Sequence, residues 1–120
     1  MGRSEGEASR LGQRVKDFGL AVQWVLRHSG SVEKFVQGEY QHERLADAAC
    51  ELYASSCTLA RMDHLLTYGN GHAGDVERDL AAGRYYLRLS SRRVRQCLAA
   101  LADNDDDLTT ETADAWLGKK

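Results

Sequence analysis

Proline occurs nowhere in the 120 residues, and that absence narrows the choice of fold more than any single motif. Average usage would supply roughly six in this length. Proline is expelled from helix interiors, where it lacks the amide proton and its ring collides with the preceding turn. A chain without it suits long, uninterrupted helices. The apolar spacing agrees: Leu45, Leu52, Leu59 and Leu66 fall seven apart, and beside that seam run Ala46, Ala49, Cys50, Tyr53, Ser56, Cys57 and Ala60. The pattern predicts a core helix over 32–68, continuous through Gly38, with a face wide enough for two neighbouring helices and small enough to let them close in.

Three further amphipathic stretches flank it. Leu11, Val15, Phe18, Val22 and Val25 follow 4-3-4-3 spacing and predict a first helix over about 9–28, with Gly19 marking the close approach of another helix. Ser29-Gly30-Ser31 breaks the chain, Gly30 suiting a C-terminal cap and Ser31 an N-cap. A glycine-rich turn, Gly69 to Gly74, leads to Asp75 as cap of a third helix to about Ala102. There Val76, Leu80, Gly83, Leu87, Ser90, Val94, Cys97 and Leu101 repeat the stripe. The acidic run Asp103 to Asp107 closes it and opens a short fourth helix over 109–117, with Leu108, Thr112 and Trp116 on one side. The expected fold is all-α: an up-down bundle of three long helices plus a short C-terminal fourth, one domain over 9–117, with residues 1–8 disordered or expression-derived.

The three cysteines, Cys50, Cys57 and Cys97, occupy helical positions expected to look inward, as small buried thiols of a reducing compartment. No apolar run approaches the ~18 residues of a membrane span, and the first residues lack the apolar core of a secretion signal. An intracellular location is expected.

Catalytic motifs fail on spacing. Glu39 and His42 have the Glu-x-x-His spacing of di-iron bundles, but no second pair accompanies them. His42-Glu43 begins a zinc-protease pattern that ends at Ala46, where a histidine is needed. Cys50, Cys57 and His64 lie two turns apart, too far for one tetrahedral zinc. Asp63-His64 near Cys57 lies along one helix with no pocket in view. No catalytic, cofactor-binding or metal-binding residue is assigned. The one surface feature above background is a ridge on the third helix, Arg84, Arg88, Arg92 and Arg95, joined by Arg78 and Arg93. A solvated face paired with acids of neighbouring helices explains it, and so does a docking surface for an acidic protein, anionic lipid or phosphate. Nucleic acid is disfavoured, because the net charge is −2 and no aromatics interleave the arginines.

Arg44-Leu45-Ala46-Asp47, then Leu52-Tyr53-Ala54 and Leu59-Ala60-Arg61, resemble steps along a helix of the acyl-CoA dehydrogenase superfamily, in particular the extra C-terminal helical domain of the very-long-chain type. The resemblance implies a parent enzyme that oxidises acyl-CoA thioesters in fatty acid β-oxidation with flavin adenine dinucleotide (FAD) as hydride acceptor. It implies that this domain supports the dimer and, in mitochondrial members, membrane association at the inner membrane or matrix. A bacterial member would be cytoplasmic. Partners so implied are the rest of the dehydrogenase, a homodimer mate and a peripheral membrane contact. Catalytic and flavin-binding residues belong to the preceding domains, and none carries over to this chain. The alternative is a stand-alone helical interaction module that binds through the arginine ridge.

Overall fold

A computed structural model describes residues 2–31, 38–69 and 73–118. Among the described residues four helices follow one another: α1 (Gly2–His28), α2 (Glu39–Tyr68), α3 (Ala73–Ala99) and α4 (Asp106–Leu117). No strand occurs among the described residues. The molecule is an all-α bundle of three long helices and a short fourth. It is 63 Å long and 18 Å thin, with a radius of gyration of 19.0 Å, against about 14 Å for a compact chain of this length. The cause is the helices themselves. At 1.5 Å per residue the 30 residues of α2 reach about 45 Å.

Helices α2 and α3 form the most extensive pair, and α1 packs against both. Three apolar clusters run along the bundle. Val25, Leu45 and Leu101 close one end, Ala48, Leu52 and Val94 the middle, and Met62, Leu80 and Leu87 the other end. Helix α1 contributes to the first two, through Val25 and through Leu11 and Phe18. The third lies between α2 and α3 alone, filled out by Leu59, Leu65 and Val76. There Gly83 brings α3 onto α2: a Cβ on it would lie 2.7 Å from Met62 Sδ and 2.9 Å from its Cγ. A side chain at Gly83 would have to push the buried Met62 aside, whereas Gly19 is exposed with nothing within 4 Å of its Cβ position.

Several expectations are corrected. Helix α1 begins at Gly2 instead of residue 9, because Glu7 is buried and bonded to Arg10 on the next turn. Gly38 is not helical. It stands at the N-cap of α2 with φ −80° and ψ 74°, so the helix begins at Glu39. A glycine within a helix costs about 1 kcal/mol, and here the chain leaves the helix at that point. Val32 to Gln37, expected to extend this helix with Ser31 as its cap, and Asn70 to His72 of the expected turn, lie outside the described residues. Gly30 has φ +82°, the left-handed conformation expected of a C-terminal cap. Asp75 lies inside the first turn of α3 and pairs with Arg78. Helix α3 ends at Ala99, and α4 starts at Asp106 with Asp106 and Asp107 in its first turn, where the helix dipole favours carboxylates.

The buried stripe of α2 also differs in width. Leu45, Ala48, Leu52, Ser55 and Met62 are buried, whereas Ala46, Ala49, Ser56 and Ala60 are exposed, with Cys50 and Cys57. Tyr53 is 75% exposed and Leu66 38%. Both neighbours, α1 and α3, meet one narrow stripe, leaving the small-residue flank uncovered. Leu52→Ala is therefore expected to cost about 2 to 5 kcal/mol and Leu66→Ala less than about 1 kcal/mol, read from urea unfolding midpoints by circular dichroism. Equal losses would reject this register.

Candidate functional site

Arg84, Arg88, Arg92 and Arg95 follow one side of α3 at helical spacing, whereas Arg78 and Arg93 pair with Asp75 and Glu51. Arg88, Arg92 and Arg95 turn towards α1, where they meet Arg10 and Arg14 across an open cleft of about 370 Å³ that also includes Ser91. Arg84 does not line it. Every polar side chain of the lining is a hydrogen-bond donor, and no carboxylate is among them. Two acids stand close by. Glu7 Oε2 accepts a 2.6 Å bond from Arg10 Nη1, and its Oε1 lies 3.8 Å from Arg88 Nε. Asp17 Oδ2 lies 3.3 Å from Arg14 Nε. That contact lacks hydrogen-bond alignment, so the buried Arg14 Nε has no acceptor. No ion pair forms at Arg92 or Arg95 among the described residues. Arg10 and Arg14 carried no signal in the sequence, because α1 is read there as an isolated amphipathic stripe.

A polar network crosses the α2–α3 interface. Ser55 Oγ donates to Ser90 Oγ at 2.7 Å, and Ser90 Oγ donates to Glu51 Oε2 at 2.6 Å. Tyr86 Oη adds a bond to Glu51 Oε2 at 3.1 Å, and Arg93 Nη1 reaches Oε1 at 3.2 Å. Burial pushes the Glu51 carboxyl up, but the bonds from Ser90, Tyr86 and Arg93 outweigh it, and the net shift is below the usual glutamate range. Burial, with the neighbouring carboxylate, raises Tyr86. Ser90 is fully buried and Ser55 nearly so. These groups satisfy one another at the middle of the core, with both hydroxyls closed off from solvent, so the arrangement reads as structural.

A second tether holds α4. Asp106 accepts two bonds from Arg44, at 2.7 Å and 2.5 Å, which holds its carboxyl below the usual range and raises Arg44. Tyr40 Oη lies 3.3 Å from Thr110 Oγ1. No residue of α4 is buried. Leu108, Trp116 and Leu117 are exposed, Trp116 at 86%.

The cysteines divide. Cys50 and Cys57, expected inside, are exposed, because α2 is turned so that the leucine stripe takes both neighbours. Cys97 is half-buried. Burial, then the charges of Asp47 and Glu51, push its thiol up. No group of three or more metal-ligating side chains occurs among the described residues, and no described helix is long and apolar enough to cross a membrane.

Fold and surface together define an all-α bundle domain with one donor-lined cleft, an uncovered small-residue flank on α2 and a tethered terminal helix with exposed apolar residues. The family model described as "ACAD9/ACADV, C-terminal domain" matches residues 4–115, and the chain belongs to that family of acyl-CoA dehydrogenase C-terminal domains. No curated protein matches, and no solved structure does.

Two predictions follow from the network and the thiols. Because the folded pKa of Glu51 is lowered, its contribution is complete above the unfolded value of about 4.3 and is lost as pH falls through the folded value. In Glu51→Gln, urea stability measured from pH 7 downward should be lower at neutral pH and should fall less steeply below about pH 4.3. In the native protein, Cys50 and Cys57 should react with a disulfide reagent at least about tenfold faster than Cys97, as peptide mass mapping of the time course would show.

Proposed function

We propose that this chain serves as the C-terminal structural and assembly domain of a FAD-dependent acyl-CoA dehydrogenase acting in fatty acid β-oxidation, with the chemistry carried by the enzyme's flavin-bearing domains. The observation that carries this reading is the family match over residues 4–115. The surface supports it. The flank formed by Ala46, Ala49, Cys50, Tyr53, Cys57 and Ala60 runs along α2 uncovered. Small side chains let another backbone approach closely, and Tyr53 at the centre supplies a large amphipathic contact. The reading assigns this flank to the rest of the dehydrogenase polypeptide, which packs against it in the assembled enzyme.

The described residues do not fit a flavin. Its ring system needs an enclosed apolar slot, and ligand sites run to roughly 300–1,000 Å³. The crevice between Leu11, Leu52, Leu87 and Val94 has room for about 10 Å³, one water at most. The larger clefts are open, and the arginine cleft is donor-lined. Flavin and acyl-CoA are held elsewhere in the enzyme under this reading, and α1–α4 contribute docking.

The test is immunoprecipitation from the source cell's lysate with an antibody to this chain. The precipitate should contain a polypeptide several times larger that carries this sequence, bind FAD and oxidise an acyl-CoA with a dye acceptor. In that polypeptide Tyr53→Glu should lower the yield of flavin-loaded enzyme. A product of this chain's own size without such activity would overturn the reading.

A further inference from the structure

The cleft between α1 and α3 is independent of the dehydrogenase reading and asks for its own ligand. Five guanidinium groups line it, Arg10 and Arg14 one turn apart on α1 and Arg88, Arg92 and Arg95 within two turns on α3, with the Ser91 hydroxyl between. Like charges are gathered there at a cost to the fold unless an anion separates them. Glu7 partly meets that need beneath Arg10 and Arg88, and Asp17 stands beside Arg14. Arg92 and Arg95 have no carboxylate partner among the described residues, and the buried Arg14 Nε has no acceptor.

We propose that this cleft binds a pyrophosphate-bearing small molecule. A guanidinium presents a planar fork of donors that matches two phosphate oxygens at once. Glu7 and Asp17 meet Arg10, Arg88 and Arg14 only in part, and two linked phosphates present acceptors to the forks of both helices together. The five guanidinium groups can only donate and the Ser91 hydroxyl can donate as well, which suits a ligand group that only accepts. At about 370 Å³ the cleft lies in the range of small-molecule sites. Its concavity favours a ligand that enters between the helices over the flat plane of a membrane. Arg14 is rooted in it, with its side chain only 15% exposed, so α1 supplies a preset donor facing the exposed arginines of α3.

The test is calorimetric titration of the full chain with inorganic pyrophosphate at constant ionic strength, since unspecific attraction is screened by salt. Wild type should bind saturably. Arg92→Gln with Arg95→Gln should lower affinity roughly tenfold or more, yet leave the melting temperature without ligand unchanged or higher, because repulsion is relieved. Arg78→Gln is the control. It lies on the same helix, outside the cleft and paired with Asp75, and should bind as wild type does. Absence of saturable binding, or equal loss in Arg78→Gln, would overturn the proposal. Vesicles of phosphatidylcholine with phosphatidic acid separate the two sources of phosphate. Sedimentation of the protein with these vesicles, without binding of free pyrophosphate, would overturn it in favour of a lipid headgroup.

Discussion

The close pairing of α2 with α3 is the constraint on which the remainder of the molecule depends. Small side chains make it possible: Ala48 and Ser55 from α2, Ser90 and Gly83 from α3. They admit the second backbone, and the Ser55–Ser90–Glu51 chain then meets the polar groups that this approach buries. A buried hydroxyl without a partner is costly. Here each is paired across the interface, so the network ties the two helices in one register as well as satisfying its own atoms. Helix α1 lies on the pair once formed, through Leu11, Phe18 and Val25, and α4 is held at its first turn by Arg44 and Asp106.

A bundle of three long helices buries only a narrow stripe of each. Length supplies the core, since the clusters repeat along 63 Å, but no outer layer covers the flanks. What is left outside is consequently extensive and chemically distinct from place to place. The α2 flank is small and apolar with Tyr53 at its centre, the α1–α3 cleft is cationic, and α4 presents Leu108 and Trp116 to solvent. These surfaces are suited to contact with other molecules. Between them, the crevice at Leu11, Leu52, Leu87 and Val94 has room for about 10 Å³.

The fold was legible in the sequence because helix periodicity is a local property. The absence of proline, the 4-3 stripes of α1 and α3 and the leucine seam each depend on residues within a few turns. Ends were less legible. Asp75 and Thr109 each stand a few residues inside a helix they were expected to open, and Gly38, expected within α2, is its N-cap, because a cap depends on whether the adjoining turn finds partners elsewhere. Asp106 starts α4 beside Arg44, 62 positions away in sequence. Family membership was legible as well, in the steps from Arg44 to Ala54 and at Leu59-Ala60-Arg61. The inward orientation expected of Cys50 and Cys57 was wrong, since seven-residue spacing places residues on one face without saying which face is covered.

By itself, then, the sequence determined that this chain is a proline-free, all-α bundle with three long helices, and which residues share a helix face. Tertiary structure alone decided which of two adjacent faces of α2 is buried, that Gly83 and not Gly19 marks the close contact, and that Arg10 and Arg14 stand opposite Arg88, Arg92 and Arg95. The physical reason is range. A helix sets the spacing of its own side chains every 1.5 Å along its axis, but its rotation and axial shift are set by the neighbours it packs against. A charge cluster shared by two helices exists only after both have been fixed.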